Sequence, residues 1–299
     1  MTELDDQRAV LRQIAARNLD AELATRVQRL ARPALRLRSA VAPPGAIGTD
    51  PADSADAADA PMPSGSRLGG DPMLAPGTAW PRWGSTPLSF LALIDLSEVD
   101  AALIGLPLPA TGLLNFFYEA RHQRAWGYDP KHANGWRVVL TDPDDAEPAT
   151  APQAAVRTPV TPVRFEPRMS FPGWTEHVFA DLKEPDIDAV CDVGMEWEQQ
   201  VADDEPHHQF GGWPGLIQMP IWRECQLGYH GVPYADQPHD PRVESLEFGN
   251  PDWTMLLQLD SDTALRWSWG DGGRLYYAAR MDDLSARNFR SSWMVLQCS

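Results

Sequence analysis

The first thirty residues carry apolar side chains three or four positions apart, the period of an amphipathic helix. These positions are Leu11, Ile14, Leu19, Leu23, Val27 and Leu30. We therefore predict one helix over residues 2–32, opened by a capping box of Thr2 with Asp5 and ended by Pro33. Residues 34–41 then alternate apolar and basic side chains, which predicts a half-buried strand.

The rest of the chain is dominated by short apolar runs typical of strands. The runs predict strands at 87–96, 112–118, 136–141, 156–165, 253–259, 265–269, 274–280 and 293–297. Helical spacing returns at 184–202, and a short helix is expected at 282–289. The stretch 42–66 is rich in Pro, Ala, Asp and Gly, and we interpret it as a flexible linker or loop between an N-terminal helix and strand (1–41) and a β-rich domain (67–299).

Three landmarks occur twice in the same order, which indicates an internal duplication. Residues 69–74 and 211–216 share the pattern GGxPxL, 90–95 and 255–260 are apolar runs ending in aspartate, and an aromatic pair follows Gly112 and Gly272 at the same distance (116–117 and 276–277). We predict an α+β fold of mostly antiparallel strands, in which two similar β units, about 67–141 and 207–299, are related by a pseudo-twofold axis.

The same segments resemble the YwqG-like family, a bacterial domain of unknown function. The resemblance rests on the segments 87–96, 108–118, 208–218, 256–262, 269–277 and 283–299. It implies an α+β fold dominated by antiparallel sheet and no established activity. Two departures stand out: Leu93 occupies a position where the family usually has glutamine, and residues 67–72 form a shortened version of the family's entry motif.

Charge and cysteine content narrow the classes of partner and compartment. The formal net charge is −17, which repels phosphate backbones and anionic lipids, so we expect neither nucleic acid nor a membrane as partner. A basic protein partner is compatible with this charge, as is a role in solubility alone. Three widely spaced cysteines predict free thiols, and the acidic start lacks a signal-peptide pattern; both favour the cytoplasm.

Candidate binding residues cluster in the second repeat. They are His208, Gln218, Gln258, Asp260, Asp262, Trp269 and Asp271, together with Asp95, the repeat mate of Asp260. A twofold axis could bring Asp95 and Asp260 face to face, and paired carboxylates can do acid–base work or hold a cation. The alternative is that each aspartate accepts hydrogen bonds from its adjacent turn and fixes the geometry of its repeat.

Other patterns argue against familiar catalytic machinery. Adjacent His207 and His208 would point to opposite faces of a strand, no second histidine stands at a metal-ligand spacing, and no metal or cofactor is expected. His208 is more simply interpreted as bracing the glycine turn. Residues 270–273, Gly-Asp-Gly-Gly, lie between two predicted strands and are typical of a hairpin turn. Cys298 has no feature that would lower its pKa, so a catalytic thiol is not expected.

The chain has 12 tryptophans, and these permit two interpretations. Trp213, Trp222, Trp253, Trp267 and Trp269 belong either to the core or to a ligand groove. Two functional hypotheses follow. The first is a non-catalytic binding protein whose acidic, Trp-lined cleft receives a basic protein or peptide, in an immunity-like or regulatory role. The second is a small-ligand receptor or enzyme that uses a carboxylate-containing cleft between the repeats.

Overall fold

The N-terminal segment forms two helices rather than one. The computed structural model describes residues 2–40, 65–201, 203 and 205–299; residues 41–64, most of the predicted linker, lie outside the described residues. The capping box of Thr2 with Asp5 is confirmed. The first helix ends at Asn18 because Leu19 is extended and Asp20 caps a second helix, accepting hydrogen bonds from the amides of Glu22 and Leu23.

Helices occupy both ends and the middle of the described chain. They are α1 Glu3–Asn18, α2 Ala21–Leu30, α3 Ala101–Ile104, α4 Asp186–Val201, α5 Trp222–Tyr229, α6 Val243–Glu247 and α7 Met281–Ser285. The apolar faces of α1, α2 and α4 share one core cluster that includes Ile14, Val27 and Trp197. The helix predicted at 184–202 is confirmed as α4, whereas α5 and α6 carry no helical period clear enough to have been predicted.

The strands include every main run predicted from the sequence except one. They are β1 Arg32–Ser39, β2 Arg67–Leu68, β3 Met73–Leu74, β4 Arg82–Trp83, β5 Thr86–Pro87, β6 Ser89–Asp95, β7 Leu113–Tyr118, β8 Trp136–Thr141, β9 Glu147–Pro148, β10 Thr161–Ser170, β11 Gln209–Phe210, β12 Trp253–Asp260, β13 Arg274–Arg280 and β14 Trp293–Gln297. The strand expected at 156–165 lies five residues further on, as β10.

Two local predictions were wrong for identifiable reasons. Pro33 does not end a helix but lies inside β1, where it pairs with Met169, because α2 has already ended at Leu30. Residues 265–269 do not form a strand: Arg266 adopts a left-handed φ of 58°. Since this conformation interrupts an extended backbone, the segment turns back, and only an isolated bridge joins Asp262 to Trp267.

One ten-stranded antiparallel sheet dominates the fold, which confirms the predicted α+β class. Its order is β14-β13-β12-β11-β1-β10-β2-β6-β7-β8. In a flat sheet, β13 and β7 would stand roughly 34 Å apart, at about 4.8 Å per strand. Yet the rings of Phe116 on β7 and Tyr277 on β13 lie 5.2 Å apart, and Tyr277 Oη donates to the carbonyl of Phe117. The sheet is therefore curled into a nearly closed barrel around its core.

The order of the strands is the same when read inward from either edge. We call β2, β6, β7, β8 and their connections the first half, and β11–β14 and their connections the second half. In the sheet, the first half is joined to β10 through β2, and the second half is joined to β1 through β11. The two central strands, β10 and β1, pair with each other. Both halves also contain a bulge in the same place: Leu91 is skipped between β6 and β7, and Leu256 between β12 and β13.

The glycine pairs of the two halves have matching conformations. Gly69 and Gly70 have φ of 66° and 77°, and Gly211 and Gly212 have φ of 71° and 73°. The amide of Gly69 donates to the carbonyl of Leu91 at 2.7 Å, and that of Gly211 donates to the carbonyl of Leu256 at 3.1 Å.

The aromatic landmark lies one residue from the position assigned by the sequence spacing. Asp95 pairs with Leu113, and Asp260 pairs with Arg274. Phe116 therefore corresponds to Tyr277 rather than to Tyr276. The glycine that corresponds to Gly112 is likewise Gly273 rather than Gly272.

Candidate functional site

Gln258, a predicted site residue, holds the loop that follows the second glycine pair. Its Oε1 accepts from the amide of Gly215 at 2.8 Å, and its Nε2 donates to the carbonyl of His207 at 2.7 Å. From β13, Arg274 and Tyr276 both donate to the carbonyl of Gly215, at 2.7 and 2.8 Å. Gln258 is 1% exposed, and both the oxygen and the nitrogen of its amide are hydrogen-bonded to backbone, so its main role is to fix this loop.

Gln218, the next predicted residue, belongs to the same arrangement one strand further. Gln297 on β14 accepts from the amides of Ile217 and Gln218 and donates to the carbonyl of Met219. The side chain of Gln218 in turn donates to the carbonyl of Cys298 at 2.7 Å. Residues 211–219, which we call the glycine-turn loop, are thus tied to successive strands by side-chain hydrogen bonds.

The first half ties its corresponding loop with a different residue. Leu93 stands opposite Arg67 in the position that Gln258 has opposite Gln209, so it cannot supply an amide. Asn115, on the adjacent strand, accepts from the amide of Met73 and donates to its carbonyl, both at 2.9 Å. The departure noted at Leu93 is therefore compensated by a neighbouring strand.

Substituting Gln258 with leucine, the residue found at the equivalent position of the first half, is expected to destabilise the protein by about 2 kcal/mol, because two partly buried backbone groups would lose their partners. Urea unfolding of Gln258→Leu measures this loss. Leu93→Met, which changes the matching position without affecting a hydrogen bond, is the control, with an expected loss of less than about 1 kcal/mol. Equal stability of Gln258→Leu and the wild type would show that the tie is unimportant.

His208 lies on the core side of the sheet and supports the end of β12. Its Nδ1 accepts from the amide of Asp260 at 3.1 Å, and its Nε2 lies 3.2 Å from Oδ2 of Asp262. Its ring packs edge-on against Trp267, with centroids 5.7 Å apart. Burial raises the pKa of Asp262, but His208 and two backbone amides outweigh it, and the pKa is lowered. His208 contacts β12 and the turn after it, rather than the glycine pair that it was expected to brace.

Asp260 is occupied by local contacts. Its carboxylate accepts from the amides of His207 and Ser261, both at 2.9 Å, and forms an ion pair with Arg274 at 3.2 Å. Its carbonyl accepts from the indole of Trp269. The structure thus brings together His208, Gln258, Asp260, Asp262 and Trp269, which form hydrogen bonds with neighbouring groups of the second half.

Asp95 has local contacts of its own. Its Oδ1 accepts from the amide and the hydroxyl of Ser97, at 2.9 and 2.7 Å. In the order of the sheet, four strands separate β6, which ends at Asp95, from β12, which ends at Asp260. The two carboxylates share no hydrogen-bond partner among the described residues.

Asp271 lies at the predicted turn. Gly270 and Gly272 have φ of 54° and 61°, as a tight turn requires. The carbonyl of Asp271 accepts from the amide of Ser299, and its side chain is exposed. Asp271 therefore lies outside the buried group around Asp260.

The tryptophans that permitted two interpretations belong to the core. Trp213, Trp222, Trp253, Trp267 and Trp269 are each no more than 4% exposed. Their indole N–H groups are mostly engaged internally: Trp222 donates to Glu176 and Trp253 to Gln226. These five side chains are therefore packed inside the protein rather than presented to a partner.

A cleft lies between the two halves, and of the residues that line it only Gln218 was among the predicted site residues. We call it the interhalf cleft. Its volume is about 470 Å³, and it is lined by Trp126, Tyr128, Asp129 and Lys131 from the first half and by Gln218, Glu224, Tyr234, Ala235 and β14 residues 295–297 from the second half. The rings of Tyr128 and Tyr234 meet across the two halves at 5.0 Å, and Asp129 accepts from the amide of Tyr234 at 3.2 Å.

The carboxylate of Glu224 is the exceptional group of the interhalf cleft. Its Oε2 is buried, and no described residue forms a hydrogen bond with it. Burial raises the pKa of Glu224, and its own backbone amide and the charge of Arg223 only partly oppose this. Asp129 behaves differently: burial acts to raise its pKa, but the backbone amides of Lys131 and Tyr234 lower it. Aromatic faces beside these two carboxylates suit a cationic group.

The sequence carries only a weak signal for this cleft. Glu224 belongs to a short helix without a clear period, and Tyr234 follows a proline in a segment that resembles an ordinary loop. Asp129 and Tyr234 are 105 residues apart in the chain, so only the packing of the halves brings them together.

A family model described as "Domain of unknown function (DUF1963)" matches residues 66–298. No curated protein matches the chain. Within the described residues, no helix has the length and apolar character needed to cross a membrane. Nor do those residues contain a group of three His, Cys, Asp or Glu side chains arranged to hold a metal ion.

Proposed function

Because this chain belongs to the DUF1963 family, whose description names no activity, we propose its function from its own geometry: a non-catalytic binding protein that receives a basic side chain of a protein partner in the interhalf cleft. The single observation that carries the proposal is the buried, unpartnered Oε2 of Glu224 in a cleft lined by aromatic rings.

A lysine or arginine side chain would complement this cleft in three ways. Its charge would satisfy the carboxylate of Glu224, for which the lack of a partner is unfavourable in a buried position. Its alkyl stem would pack against Trp126, Tyr128 and Tyr234, and a cation over an aromatic face gains further attraction. The net charge of −17 would speed the encounter with a basic partner.

Several finer features belong to the same proposal. We infer that the two halves arose by duplication, supported by the equal strand order, the bulges at Leu91 and Leu256, and the matching glycine pairs. A YwqG-like assignment is supported by the motifs, and an immunity-like or regulatory role fits a binder of basic proteins. The cysteines are free, which supports a cytoplasmic location.

The second hypothesis, a small-ligand receptor or enzyme with carboxylates between the halves, uses the same cleft. Glu224 and Asp129 would then be the carboxylates concerned, rather than Asp95 and Asp260. The volume of about 470 Å³ is sufficient for a small amine. We rank this hypothesis second because Asp129 is already occupied by two backbone amides and Lys131.

The cation site can be tested with n-butylammonium, which carries the charge and part of the stem of lysine. We expect a saturable shift of the backbone amide of Tyr234 in NMR spectra. Glu224→Gln is expected to weaken binding about tenfold, since a charge-assisted contact is lost. Glu244→Gln, which removes an exposed carboxylate of α6, should bind as the wild type does, and 1-butanol should not bind.

An equal affinity of Glu224→Gln and the wild type, or an equal response to 1-butanol, would contradict the cation site. The partner is tested separately by capture from the native host with wild type, Glu224→Gln and Glu244→Gln as baits. We expect a basic protein retained by the first and third baits and lost by the second, and binding reproduced with both purified proteins. A site that binds n-butylammonium but retains no basic protein would support the small-ligand hypothesis instead.

A further inference from the structure

A second cavity lies under α4, on the opposite side of the sheet from the main core. We call it the α4 cavity. Its volume is about 330 Å³, and its polar wall comprises Arg168 on β10, His207 before β11, Gln258 on β12 and Arg274 on β13, with Glu198 of α4 at the rim. It contains none of the residues that line the interhalf cleft.

The polar wall follows from the pairing of the strands. His207 lies opposite Asp260, and Asp260 opposite Arg274, so these side chains share one face of the sheet. The residues between them in sequence, such as His208 and Leu259, point to the core. Since α4 covers this polar face, charged groups lie at the bottom of a cavity rather than on an open surface.

Several donors of this wall are not used by the protein. Arg274 donates through Nη1 to Gly215 and pairs through Nε with Asp260, while no described residue bonds to its Nη2. Neither ring nitrogen of His207 has a hydrogen-bond partner among the described residues. By contrast, Arg168 is engaged by the carbonyl of Val201 and by Asp203.

The charged neighbours make the α4 cavity locally positive within an acidic protein. Burial and, after it, the charges of Arg36, Arg274 and Arg168 lower the pKa of His207 to about 4, and Asp203 opposes them only in part. Glu198 gives the same indication. Burial of its carboxylate raises its pKa, although the residue as a whole is exposed, and the charges of the same three arginines act to lower it. Both titratable groups therefore experience a positive potential.

An apolar groove continues from this charged end. Its volume is about 550 Å³, it shares Arg274 and Glu198 with the α4 cavity, and it is lined by Phe171, Trp174, Met195 and Leu216. Trp174 and Met195 are 51% and 53% exposed, which is unusual for such large apolar side chains. A ligand that extends from the α4 cavity into this groove would cover them.

We propose that the α4 cavity binds a small organic oxyanion, a carboxylate or phosphate group, whose apolar substituent lies in the adjoining groove. The anion is held by Nη2 of Arg274 and by His207, and Trp174 and Met195 cover the apolar part. The charged residues of this site are different from those of the interhalf cleft, and the two sites differ in the sign of the charge that they select, although Gln218 lines both the apolar groove and the interhalf cleft.

Hexanoate, acetate, hexyl phosphate and 1-hexanol are suitable probes, with the ring protons of His207 followed by NMR as a function of pH. We expect hexanoate or hexyl phosphate to bind and to raise the pKa of His207, because a bound anion stabilises the imidazolium. The stronger of the two identifies the head group. Acetate should bind about tenfold more weakly than hexanoate, since it lacks the chain that fills the groove. 1-Hexanol should leave the pKa unchanged.

Two variants with opposite expected effects make the test independent of folding. Glu198→Gln removes the rim carboxylate and is expected to tighten hexanoate binding about fivefold by relieving repulsion. Arg274→Gln should weaken it at least about tenfold. Glu244→Gln and Arg82→Gln, which change charge elsewhere, are the matched controls. A His207 pKa unaffected by either anion, or a Glu198→Gln variant with unchanged affinity, would overturn the proposal.

Discussion

Substituting Gly69 with alanine is expected to lower the free energy of unfolding by about 4 kcal/mol, because it combines backbone strain with severe overpacking. The residue has φ of 66°, in the left-handed region that favours glycine. A Cβ at this position would stand 2.0 Å from the carbonyl oxygen of Pro159 and 2.7 Å from Oγ1 of Thr158. The first contact is with backbone, so a side-chain rotation cannot relieve it.

Gly84→Ala is the matched control for this prediction. Gly84 has φ of 58°, almost the same backbone conformation, but no described atom lies within 4 Å of the place that its Cβ would occupy. The control should therefore lose only the cost of the left-handed conformation, about 1 kcal/mol. Urea unfolding of both variants separates strain from close approach. If the two variants lost equal stability, the tight packing of the first glycine pair against residues 158–159 would be disproved.

Acidification from pH 6.5 to pH 4 is expected to destabilise the protein, and His207 should contribute about 2 kcal/mol of this loss. The contribution is smaller than the full pKa shift of His207 implies, because its side chain is partly exposed to screening solvent. Burial, followed by the charges of Arg36, Arg274 and Arg168, lowers the pKa of His207 to about 4. The ring is therefore neutral in the folded state over a range in which the unfolded chain binds a proton. Its contribution is full above pH 6.5, falls as the pH decreases to 4, and is constant below that.

His207→Gln should flatten this part of the stability profile, whereas His122→Gln, which changes an exposed histidine, should leave it unchanged. His132 will preserve some slope in both variants, because burial also lowers its pKa. Asp203 acts at lower pH: burial would raise its pKa, but Arg38 and Arg36 lower it to about 2, so its stabilisation is lost between about pH 3.8 and 2. Denaturation curves at pH 7, 5.5 and 4 test the assignment; parallel profiles for His207→Gln and the wild type would contradict it.

The two proposed sites have different charged residues and select opposite charges, although Gln218 lines both the interhalf cleft and the apolar groove. The interhalf cleft presents Glu224 and aromatic rings to a cation, and the α4 cavity presents Arg274 and His207 to an anion. A protein partner and a small organic anion could therefore be bound at the same time. The n-butylammonium and hexanoate titrations distinguish the two sites, since each variant changes only one of them.

Much of the fold was predictable because strand and helix periods reflect which local face is buried. The strands Trp136–Thr141, Arg274–Arg280 and Trp293–Gln297 were predicted with their observed bounds. Prediction failed where one residue changes the path of the backbone. Asp20 divides the N-terminal helix by capping α2, and the left-handed Arg266 prevents the strand expected at 265–269.

The polar residues of the second half were found by sequence, but their roles were not. Gln258 and Gln218 were candidates for ligand binding, and both are engaged with backbone groups of the protein itself. The sequence contained one indication of this. Leu93, at the position of the first half that is equivalent to Gln258, has no side-chain amide, so another residue must hold the corresponding loop there. Asn115 was not recognised as that residue, because it is one strand away.

By itself, the sequence determined the strand periods, the ordered landmarks, the acidic charge and the antiparallel α+β class. Only the tertiary structure decided that Asp95 and Asp260 share no hydrogen-bond partner among the described residues and that the tryptophans considered for a groove are core residues. It also decided that Oε2 of Glu224 and the ring of His207 find no hydrogen-bond partner within the described parts of the chain. The physical reason is that periodicity records the burial of a local face, whereas an unpartnered group is defined by residues far away in the chain. The neighbours of Glu224 and His207 come from both halves and from α4, and curling of the sheet brings them together.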